Sequence, residues 1–449
     1  MIKPYVYFLG IGGIGMSGLA QYFLEKGHSV AGYDREASSL THKLTKLGAA
    51  IHHTDAGTSN IPKDFTDPIQ TTVIRTPAIP SDFEELRYFE SGGFEILKRA
   101  EVLGRLSRDM YCIAVAGTHG KTTTSAILTH LLRTCGKKIT AFLGGVAHNI
   151  DSNYINEGDA LMVVEADEFD RSFLQLQPDL ACVTAMDADH LDIYVKLEAL
   201  ETSFKEFVGL VPKPQNVWVR EGIHLPGQVF GIHQSSDSYV ENIRVENGMY
   251  VFDFKYKSTH MKELSWALPG HHNLMNAAAA LCLALDVDCS AACLKQGLKT
   301  FSGVDRRFSK RLESPTVVID DYAHHPEEIK AMHEAIRTFY PTSRVLAVFQ
   351  PHLFSRTRDF CAAFAASLSM FDEALLLDIY PARELPIEGV DSQSIVRKMD
   401  IPALVVGKNE LPERVSAVAA DVVVMMGAGD IAEEVKAVVS YLKDGHHVG

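Results

Sequence analysis

Short apolar runs alternate with amphipathic segments along most of the chain. The clearest case is the run Cys112–Ala116, which has the length of a buried strand. It is followed by a loop and then by a segment whose apolar residues share one helix face, namely Ile127, Leu128, Leu131 and Leu132. Gly136 then provides a typical helix C-terminus. The pattern predicts a strand, a loop and a helix in that order.

The same alternation predicts strands in three successive stretches of the chain. In the first stretch they lie at 5–9, 29–33 and 72–75, and in the second at 139–143, 161–164 and 180–184. In the third they lie at 316–319, 345–349, 374–377, 403–406 and 422–426. Apolar spacing also predicts a helix that contains Ile96, Leu103 and Leu106, and we interpret 212–266 as an antiparallel extension.

The length of the chain indicates more than one domain. A chain of 449 residues is too long for one core. Because strands alternate with helices in all three stretches, we predict an α/β protein of three domains, 1–107, 108–310 and 311–449.

A glycine-rich loop follows the first predicted strand. Residues 10–15 have the spacing G-x-G-x-x-G, and Asp34 ends the next strand. This arrangement is typical of a βαβ unit that binds a pyrophosphate at a helix N-terminus and a ribose or base through the acid. Taken alone, it favours a nicotinamide or flavin site. Thr76 begins another loop at the same sheet edge, which is either a ligand loop or a proline-rich turn.

A second glycine loop, Gly117-Thr118-His119-Gly120-Lys121-Thr122, lies between the strand and the helix described first. Glycines allow a polyphosphate to approach the backbone, Lys121 adds positive charge, and the Thr122 hydroxyl can hold magnesium. Val115 stands where the general pattern G-x-x-x-x-G-K-[ST] has glycine, so the match is to a shorter form. The flanking strand and helix favour nucleotide binding.

Acidic residues follow two further predicted strands. Glu165-Ala166-Asp167-Glu168-Phe169-Asp170 comes after the first, and Asp187-Ala188-Asp189-His190-Leu191-Asp192 after the second. Carboxylates at the end of a buried strand repel one another unless cations are present. An exposed acidic turn is the alternative, but the adjacent phosphate loop favours magnesium.

Polar residues also follow successive strands in the last stretch of the chain. They are Asp320-Asp321-Tyr322-Ala323-His324-His325, Gln350-Pro351-His352, Arg356 and 378–384. Helix caps would explain some of them but not so many histidines and arginines, so we predict a binding site there. Before this stretch, Asn273 is expected to cap an alanine-rich helix.

Composition narrows the class of protein. Lysine and arginine number 43 and aspartate and glutamate 57, giving a net charge of −14, which argues against nucleic acid or an anionic membrane as partner. No apolar run approaches 18 residues and no signal peptide precedes the first strand, so we expect no membrane insertion. The seven cysteines include no C-x-x-C, and we interpret them as buried thiols in a reducing cytoplasm.

Several motifs, in order along essentially the whole chain, resemble those of the Mur ligases. They are G-I-G-G-I-G-M-S-G from Gly10, G-T-H-G-K-T from Gly117, E-A-D-E from Glu165, A-D-H-L-D from Ala188, H-N-L-M-N-A from His272, G-V-D-R-R-F from Gly303, D-D-Y-A-H-H-P from Asp320 and F-Q-P-H from Phe349. The resemblance implies a Rossmann-like UDP-binding domain, a central P-loop ATPase-type α/β domain and a C-terminal Rossmann-like α/β domain that binds the amino acid.

The resemblance also implies roles for individual residues. The UDP-sugar would be bound by Gly10, Gly12, Gly13, Gly15, Met16, Asp34 and Thr76. ATP would be bound by Gly117, Thr118, Gly120, Lys121, Thr122, Thr123, Asn273, Asn276, Arg307 and Asp321. Magnesium would be held by Thr122, Glu165 and His190, and the catalytic residues would be Lys121, His190, His324 and Arg356. Lys205 matches a carbamylated lysine of some family members, although an ordinary solvated lysine is the stronger interpretation.

The most similar branch of the family adds L-alanine to UDP-N-acetylmuramate. The implied reaction uses ATP and Mg²⁺ to activate the lactyl carboxylate as an acyl phosphate, which the amine of L-alanine attacks, at the first peptide step of peptidoglycan precursor synthesis. Leu353 stands where many members have arginine, which leaves the strictness for L-alanine open. We expect a cytoplasmic monomer or weak homodimer.

Three alternatives remain at this point. One is the related ligase that adds a preformed tripeptide to the same sugar nucleotide during cell-wall recycling. Another is a non-catalytic regulator that binds UDP-sugar and ATP. The third is an oxidoreductase, which only the first glycine motif favours.

Overall fold

A computed structural model describes residues 2–54, 57–186, 197–246, 248–382 and 384–444. By contact density the chain divides into two compact units. The first comprises Met1–Ile243, Val251–Ser265 and Met275–Ser302, and the second Arg244–Tyr250, Trp266–Leu274 and Gly303–Gly449. The predicted domain boundaries near residues 107 and 310 stay a prediction.

The first sheet has five parallel strands in the order β3-β2-β1-β4-β5. Its strands are β1 (Tyr5–Leu9), β2 (Ser29–Tyr33), β3 (Ala50–His52), β4 (Thr71–Arg75) and β5 (Glu95–Lys98). Its helices are α1 (Ile14–Glu25), α2 (Ser39–Lys46), α3 (Glu84–Ser91) and α4 (Arg99–Leu106). The single helix predicted over Ile96, Leu103 and Leu106 was therefore wrong, because Ile96 lies in β5 and pairs with Val73 of β4.

The second sheet has ten strands in the order β15-β14-β13-β12-β11-β10-β6-β9-β7-β8. Its strands are β6 (Tyr111–Ala116), β7 (Ile139–Ala147), β8 (Ser152–Asn156), β9 (Leu161–Ala166), β10 (Leu180–Val183), β11 (Val217–Arg220), β12 (Gln228–Gly231), β13 (Ser238–Glu246), β14 (Met249–Tyr256) and β15 (Thr259–Trp266). Its helices are α5 (Lys121–Thr134), α6 (Leu197–Gly209), α7 (His271–Asp286) and α8 (Ala291–Thr300).

The extension predicted as antiparallel over residues 212–266 is partly parallel. Strands β11, β12 and β13 continue the direction of β10 by parallel pairing, so that part of the prediction was wrong. Short alternating strands do not reveal their direction from the sequence, because both kinds of pairing use the same apolar period of two.

The third sheet has six strands in the order β16-β17-β21-β18-β19-β20, parallel except for the pairing of β16 with β17. Its strands are β16 (Ser309–Leu312), β17 (Val317–Asp321), β18 (Val345–Phe349), β19 (Glu373–Leu376), β20 (Ala403–Val405) and β21 (Val422–Met426). Its helices are α9 (Pro326–Phe339), α10 (Phe354–Leu368), α11 (Ser392–Val396), α12 (Leu411–Val418) and α13 (Ile431–Asp444).

One apolar cluster in the first compact unit includes residues of both the first and the second sheet. Tyr22 of α1 lies 5.7 Å from Phe142 of β7 and 6.4 Å from Tyr154 of β8, measured between ring centroids. The Tyr154 hydroxyl also donates to Glu25 Oε2 at 2.7 Å. Helix α1 is therefore packed between its own sheet and the β7–β8 pair.

The cysteines depart from the sequence prediction in one pair. Cys135 and Cys293 are joined by a disulfide, so the prediction of seven free thiols was wrong for these two. The pairing joins residues 158 positions apart, which no local pattern reveals. The other five are free thiols, and all of them except Cys361 are buried. None of the helices in the described part of the chain combines the length and the apolar composition that a membrane crossing requires.

Candidate functional site

The first glycine loop connects β1 to α1 and brings four of the predicted residues together. The Gly10 amide donates to Tyr33 O at 2.8 Å, and the Gly12 amide donates to Asp34 Oδ2 at 2.7 Å. A side chain at Gly10 would place Cβ 2.4 Å from Thr76 Cγ2, so only glycine allows the Thr76 loop to lie against this one. The carboxylate of Asp34 thus anchors the loop at the edge of the sheet.

The other predicted residues of this loop lie where α1 begins. Gly13 precedes the helix and Met16, in its first turn, is buried. Gly15 lies against Arg99, the first residue of α4, whose Nε donates to Gly15 O at 3.2 Å. A Cβ at Gly15 would be 2.5 Å from Arg99 Cζ. The guanidinium of Arg99 is therefore held at the N-terminal end of α1, where backbone amides favour anions.

The second glycine loop connects β6 to α5. Gly117 has a φ of +137°, and a Cβ there would lie 2.3 Å from Thr184 Oγ1 and 2.8 Å from the Ala185 amide nitrogen. The Thr118 amide donates to Ala185 O at 3.0 Å, which holds the loop against the end of β10. Gly120 precedes α5 in the left-handed conformation. The loop thus presents the N-terminus of a 14-residue helix, the arrangement that binds phosphates.

Lys121, the first residue of α5, pairs with a buried acid. Its Nζ lies 2.8 Å from Glu168 Oε2 and 3.0 Å from Oε1, and it donates to Gly117 O at 2.7 Å. Burial alone would lower the pKa of Lys121, but the carboxylates of Glu168, Asp167 and Glu165 raise it above its ordinary value. The lysine is therefore cationic at neutral pH.

Thr122 contacts the carboxylate predicted to share a metal with it. Its Oγ1 donates to Glu165 Oε1 at 3.1 Å, while the buried Oε2 of Glu165 has no hydrogen-bond partner. Burial raises the pKa of Glu165 and Asp167 adds to the increase, although Lys121 opposes it. A buried carboxylate oxygen without a partner beside a threonine hydroxyl fits a hard cation such as Mg²⁺. His190, the third predicted ligand, lies outside the described residues.

The remaining predicted nucleotide residues of the first unit are near the same loop. A Cβ at Gly120 would lie 2.5 Å from Asn276 Oδ1, so this side chain of α7 adjoins the loop. Thr123 is buried in the first turn of α5.

The side chain of Lys205 is 57% exposed, and its Nζ lies 3.7 Å from Glu201 Oε2. This environment is the one expected for a solvated lysine.

Asn273 belongs to the second unit and does not cap α7 from outside. The helix begins at His271, and Asn273 Nδ2 donates back to Pro269 O at 2.8 Å. The predicted N-cap position was therefore wrong by a few residues, because the proline and glycine before the helix already turn the chain.

The carboxyl end of β17 positions Asp321. Its two oxygens accept hydrogen bonds from the amides of Phe308 at 2.7 Å and Ala323 at 2.8 Å. Burial raises the pKa of Asp321 to about 6, although the positive charge of Arg307 opposes the increase. Arg307 also lies over the ring of Tyr322, with 5.3 Å between Cζ and the ring centroid. The structure thus brings together Asp321 and Arg307, two residues predicted to contact ATP.

His324 and Arg356 lie close enough to influence each other. Burial lowers the pKa of His324 and Arg356 contributes to the decrease, although Glu328 opposes it. The imidazole is held by a 2.9 Å hydrogen bond between Nδ1 and Tyr322 O. Leu353, at the position where the resemblance leads us to expect arginine, precedes α10 with a φ of +71°, a conformation that leucine rarely adopts.

Two residues of this site were not assigned from the sequence. Glu168 stood among the acids after β9 without a role of its own, and its pairing with Lys121 depends on the register of β6 against β9. Arg99 was missed because β5 and the start of α4 were interpreted as one helix. The sequence signal is limited to an arginine at a strand-to-helix junction, because its place beside Gly15 depends on which strands are neighbours.

The comparisons with known proteins agree with the order of the motifs. Residues 5–111 match the model described as Mur ligase family, catalytic domain, residues 115–284 match the Mur ligase middle domain, and residues 306–431 match the Mur ligase, glutamate ligase domain. The UDP-N-acetylmuramate–L-alanine ligase of Christiangramia forsetii is 51% identical over 96% of both chains. That of Flavobacterium psychrophilum is 52% identical over 96% of both.

Solved structures extend the agreement to the fold. The UDP-N-acetylmuramate–alanine ligase MurC of Thermotoga maritima has a TM-score of 0.82 and 27% identity, covering 98% of this chain and 99% of its own. A murein peptide ligase from Psychrobacter arcticus shares the fold with a TM-score of 0.70 at 20% identity, covering 98% of each chain. The predicted three-domain α/β fold class is confirmed. With identity above half over nearly the full length of a relative, the chain belongs to the Mur ligase family.

Proposed function

We propose that this protein joins L-alanine to the lactyl carboxylate of UDP-N-acetylmuramate. ATP transfers a phosphoryl group to this carboxylate with release of ADP, and the amine of L-alanine then displaces phosphate. The observation that supports this substrate assignment is the 51% identity, over 96% of both chains, with a relative that has that name. The reaction belongs to the first peptide step of cytoplasmic peptidoglycan precursor synthesis. We further propose that the protein works as a monomer or weak homodimer.

Activation of the carboxylate takes place at the second glycine loop. A carboxylate and an amine do not condense unaided in water, so ATP first phosphorylates the lactyl carboxylate. The amides of Gly117 and Gly120 and the Nζ of Lys121 bind the phosphates, while Thr118, whose amide donates to Ala185 O, keeps the loop in position. For Lys121 to reach a phosphate, its ion pair with Glu168 has to loosen. The transferred phosphoryl group therefore replaces the carboxylate of Glu168 as the partner of Lys121.

Thr122 and Glu165 would hold Mg²⁺, with His190 as a further proposed ligand. When bound, the ion neutralises charge on the phosphate and carboxylate oxygens during transfer. The unpartnered Oε2 of Glu165 supports this role.

The sugar nucleotide binds at the first glycine loop. The amides at the N-terminus of α1 and the guanidinium of Arg99 both favour anions, so we place the diphosphate or the lactyl carboxylate there. Asp34 and Thr76, which hold the two loops together, border the same place.

The amino acid binds at the carboxyl ends of β17 and β18. Arg356 pairs with the carboxylate of L-alanine. The attacking amine must lose a proton, and His324, whose pKa is lowered by burial, is neutral at pH 7 and able to accept it. Asn273, Asn276, Arg307 and Asp321 are the further residues that contact ATP in this proposal.

The test is ADP release by the purified protein with ATP, Mg²⁺ and UDP-N-acetylmuramate, comparing L-alanine, glycine, L-serine and the tripeptide as donors. We expect turnover to be fastest with L-alanine. Preference for the tripeptide would assign the protein to recycling instead. Absence of ADP release with every donor would refute a ligase and leave a nucleotide-binding regulator.

A further inference from the structure

Three cysteines meet at the end of α5 that is remote from the phosphate loop. The cysteine cluster consists of Cys135, which follows α5, Cys289, which follows α7, and Cys293 in the first turn of α8. The three Sγ atoms all lie within 4.8 Å of one another, and two of them, those of Cys135 and Cys293, are bonded. Helix α5 has 14 residues and so spans about 20 Å, which separates the cluster from the nucleotide site.

The surroundings of the cluster allow an ion to enter and to be retained. Cys289 is 5% exposed, while Cys135 and Cys293 are only partly buried, so the cluster opens to solvent on one side. Cys293 lies in the first turn of α8, where the helix dipole stabilises a thiolate. Burial raises the pKa of Cys289 to about 11, and the positive charge of Lys137 opposes this increase only in part.

We propose that the reduced cysteine cluster binds one thiophilic metal ion. Reduction by a dithiol converts the disulfide into two thiols and the dithiol into its own disulfide, so that electrons and protons balance. A divalent ion then replaces three protons, one from each thiol, and forms three metal–sulfur bonds. Thiolates select soft or borderline divalent ions such as Zn²⁺ or Cd²⁺ rather than Mg²⁺.

The geometry of the cluster suits such an ion. Zinc–sulfur bonds of about 2.3 Å at tetrahedral angles place sulfurs about 3.8 Å apart. That separation lies within the spread of the three Sγ atoms once Cys135 and Cys293 are no longer bonded. Water completes the coordination on the open side. The ion would join the C-terminal end of α5 to the start of α8, as the disulfide does in the oxidised protein.

The test is a titration of the fully reduced, full-length protein with Cd²⁺, followed by the thiolate-to-metal charge-transfer absorption. We expect one equivalent to bind, and Cys289→Ser to weaken binding by at least about tenfold because one of three thiolates is lost. Cys361→Ser is the matched control, since it removes a free thiol of α10 that is remote in sequence from the cluster. It should bind Cd²⁺ as the unchanged protein does.

A second measurement keeps the result independent of folding. The oxidised protein retains Cys289 and its fold but has only one free thiol in the cluster, so it should lose the charge-transfer band. Equal binding by the reduced and oxidised proteins, or by Cys289→Ser and the unchanged protein, would overturn the proposal. So would a reduced protein that takes up no Cd²⁺. Circular dichroism checks that Cys289→Ser is folded.

Discussion

Lys121 Nζ and Glu168 Oε2 lie 2.8 Å apart, and the side chain of Glu168 is completely buried. The positive charge expected to bind phosphate is therefore paired with an acid of the protein itself. The pair keeps Lys121 beside Gly117 O and supplies a negative charge that balances the positive charge of the buried lysine.

This pair predicts different effects on stability and on turnover. Lys121→Met removes the cation that is paired with the buried Glu168, which should lower the free energy of unfolding by about 3–5 kcal/mol. The double variant Lys121→Met/Glu168→Gln removes both charges and should regain most of that loss. Both variants should lose at least about 10²-fold in kcat, because the phosphate charge is no longer neutralised.

Urea unfolding and ADP release measure the two effects separately. Glu168→Gln alone is the matched control for the double variant. If Lys121→Met were as stable as the unchanged protein, Glu168 would not depend on this lysine.

Arg99 should affect the sugar nucleotide more than ATP. Arg99→Ala removes the guanidinium beside Gly15 and should raise KM for UDP-N-acetylmuramate by about tenfold, the equivalent of about 1.4 kcal/mol, and KM for ATP by less, although the charge of Arg99 also acts on Glu165. Arg105→Ala on the same helix is the control, because its ion pair with Glu95 lies partly exposed. Steady-state kinetics with each substrate varied in turn measure the two KM values. Equal changes in both would contradict the assignment of Arg99 to the sugar-nucleotide site.

Arg356 should affect the amino acid. Arg356→Ala is expected to raise KM for L-alanine by at least about tenfold, since a charge-assisted pair with the carboxylate is lost. Arg358→Ala, two residues further along α10 and paired with Asp359 at the surface, should leave KM unchanged. Kinetics with L-alanine varied at saturating ATP measure the difference. An unchanged KM in Arg356→Ala would mean that another cation binds the carboxylate.

Asp321 predicts a pH dependence of stability. Its pKa is about 6 in the folded protein and about 3.9 in an unfolded chain, so the folded state binds the proton more tightly. The contribution of Asp321 to the free energy of unfolding should therefore fall by about 3 kcal/mol in total as the pH rises from about 4 to about 6. Asp321→Asn lacks this titration.

The measurement is urea unfolding of both proteins between pH 4 and pH 7. The difference in unfolding free energy between them should change in favour of Asp321→Asn as pH rises. The variant also loses one hydrogen bond that Asp321 accepts from a backbone amide, and this loss changes the unfolding free energy by the same amount at every pH. A difference that does not vary with pH would contradict the raised pKa.

Much of the fold was predictable because the central parallel strands are continuous apolar runs that end in glycine or acid. Strands β1, β2 and β6 lie within a residue of their predicted bounds. The exception at β5 has a physical reason. Ile96 fits a helical period with Leu103, but pairing with β4 outweighs that local preference.

The part of the candidate site that could be predicted consists of the residues that lie in local sequence motifs. The loops at Gly10 and Gly117 could be placed from glycine spacing and flanking elements. The pairs Lys121–Glu168 and Arg99–Gly15 join residues 47 and 84 positions apart, and depend on which strands are neighbours. No periodicity of the chain encodes that information.

The apolar cluster around Tyr22, Phe142 and Tyr154 has a consequence for cooperativity. Because the first and second sheets bury their side chains in one continuous core, neither can lose its packing without exposing the other. The two sheets of the first compact unit therefore belong to one folding unit. A destabilising substitution in the sugar-nucleotide loop would also lower the population of an intact phosphate loop, even where it touches no nucleotide.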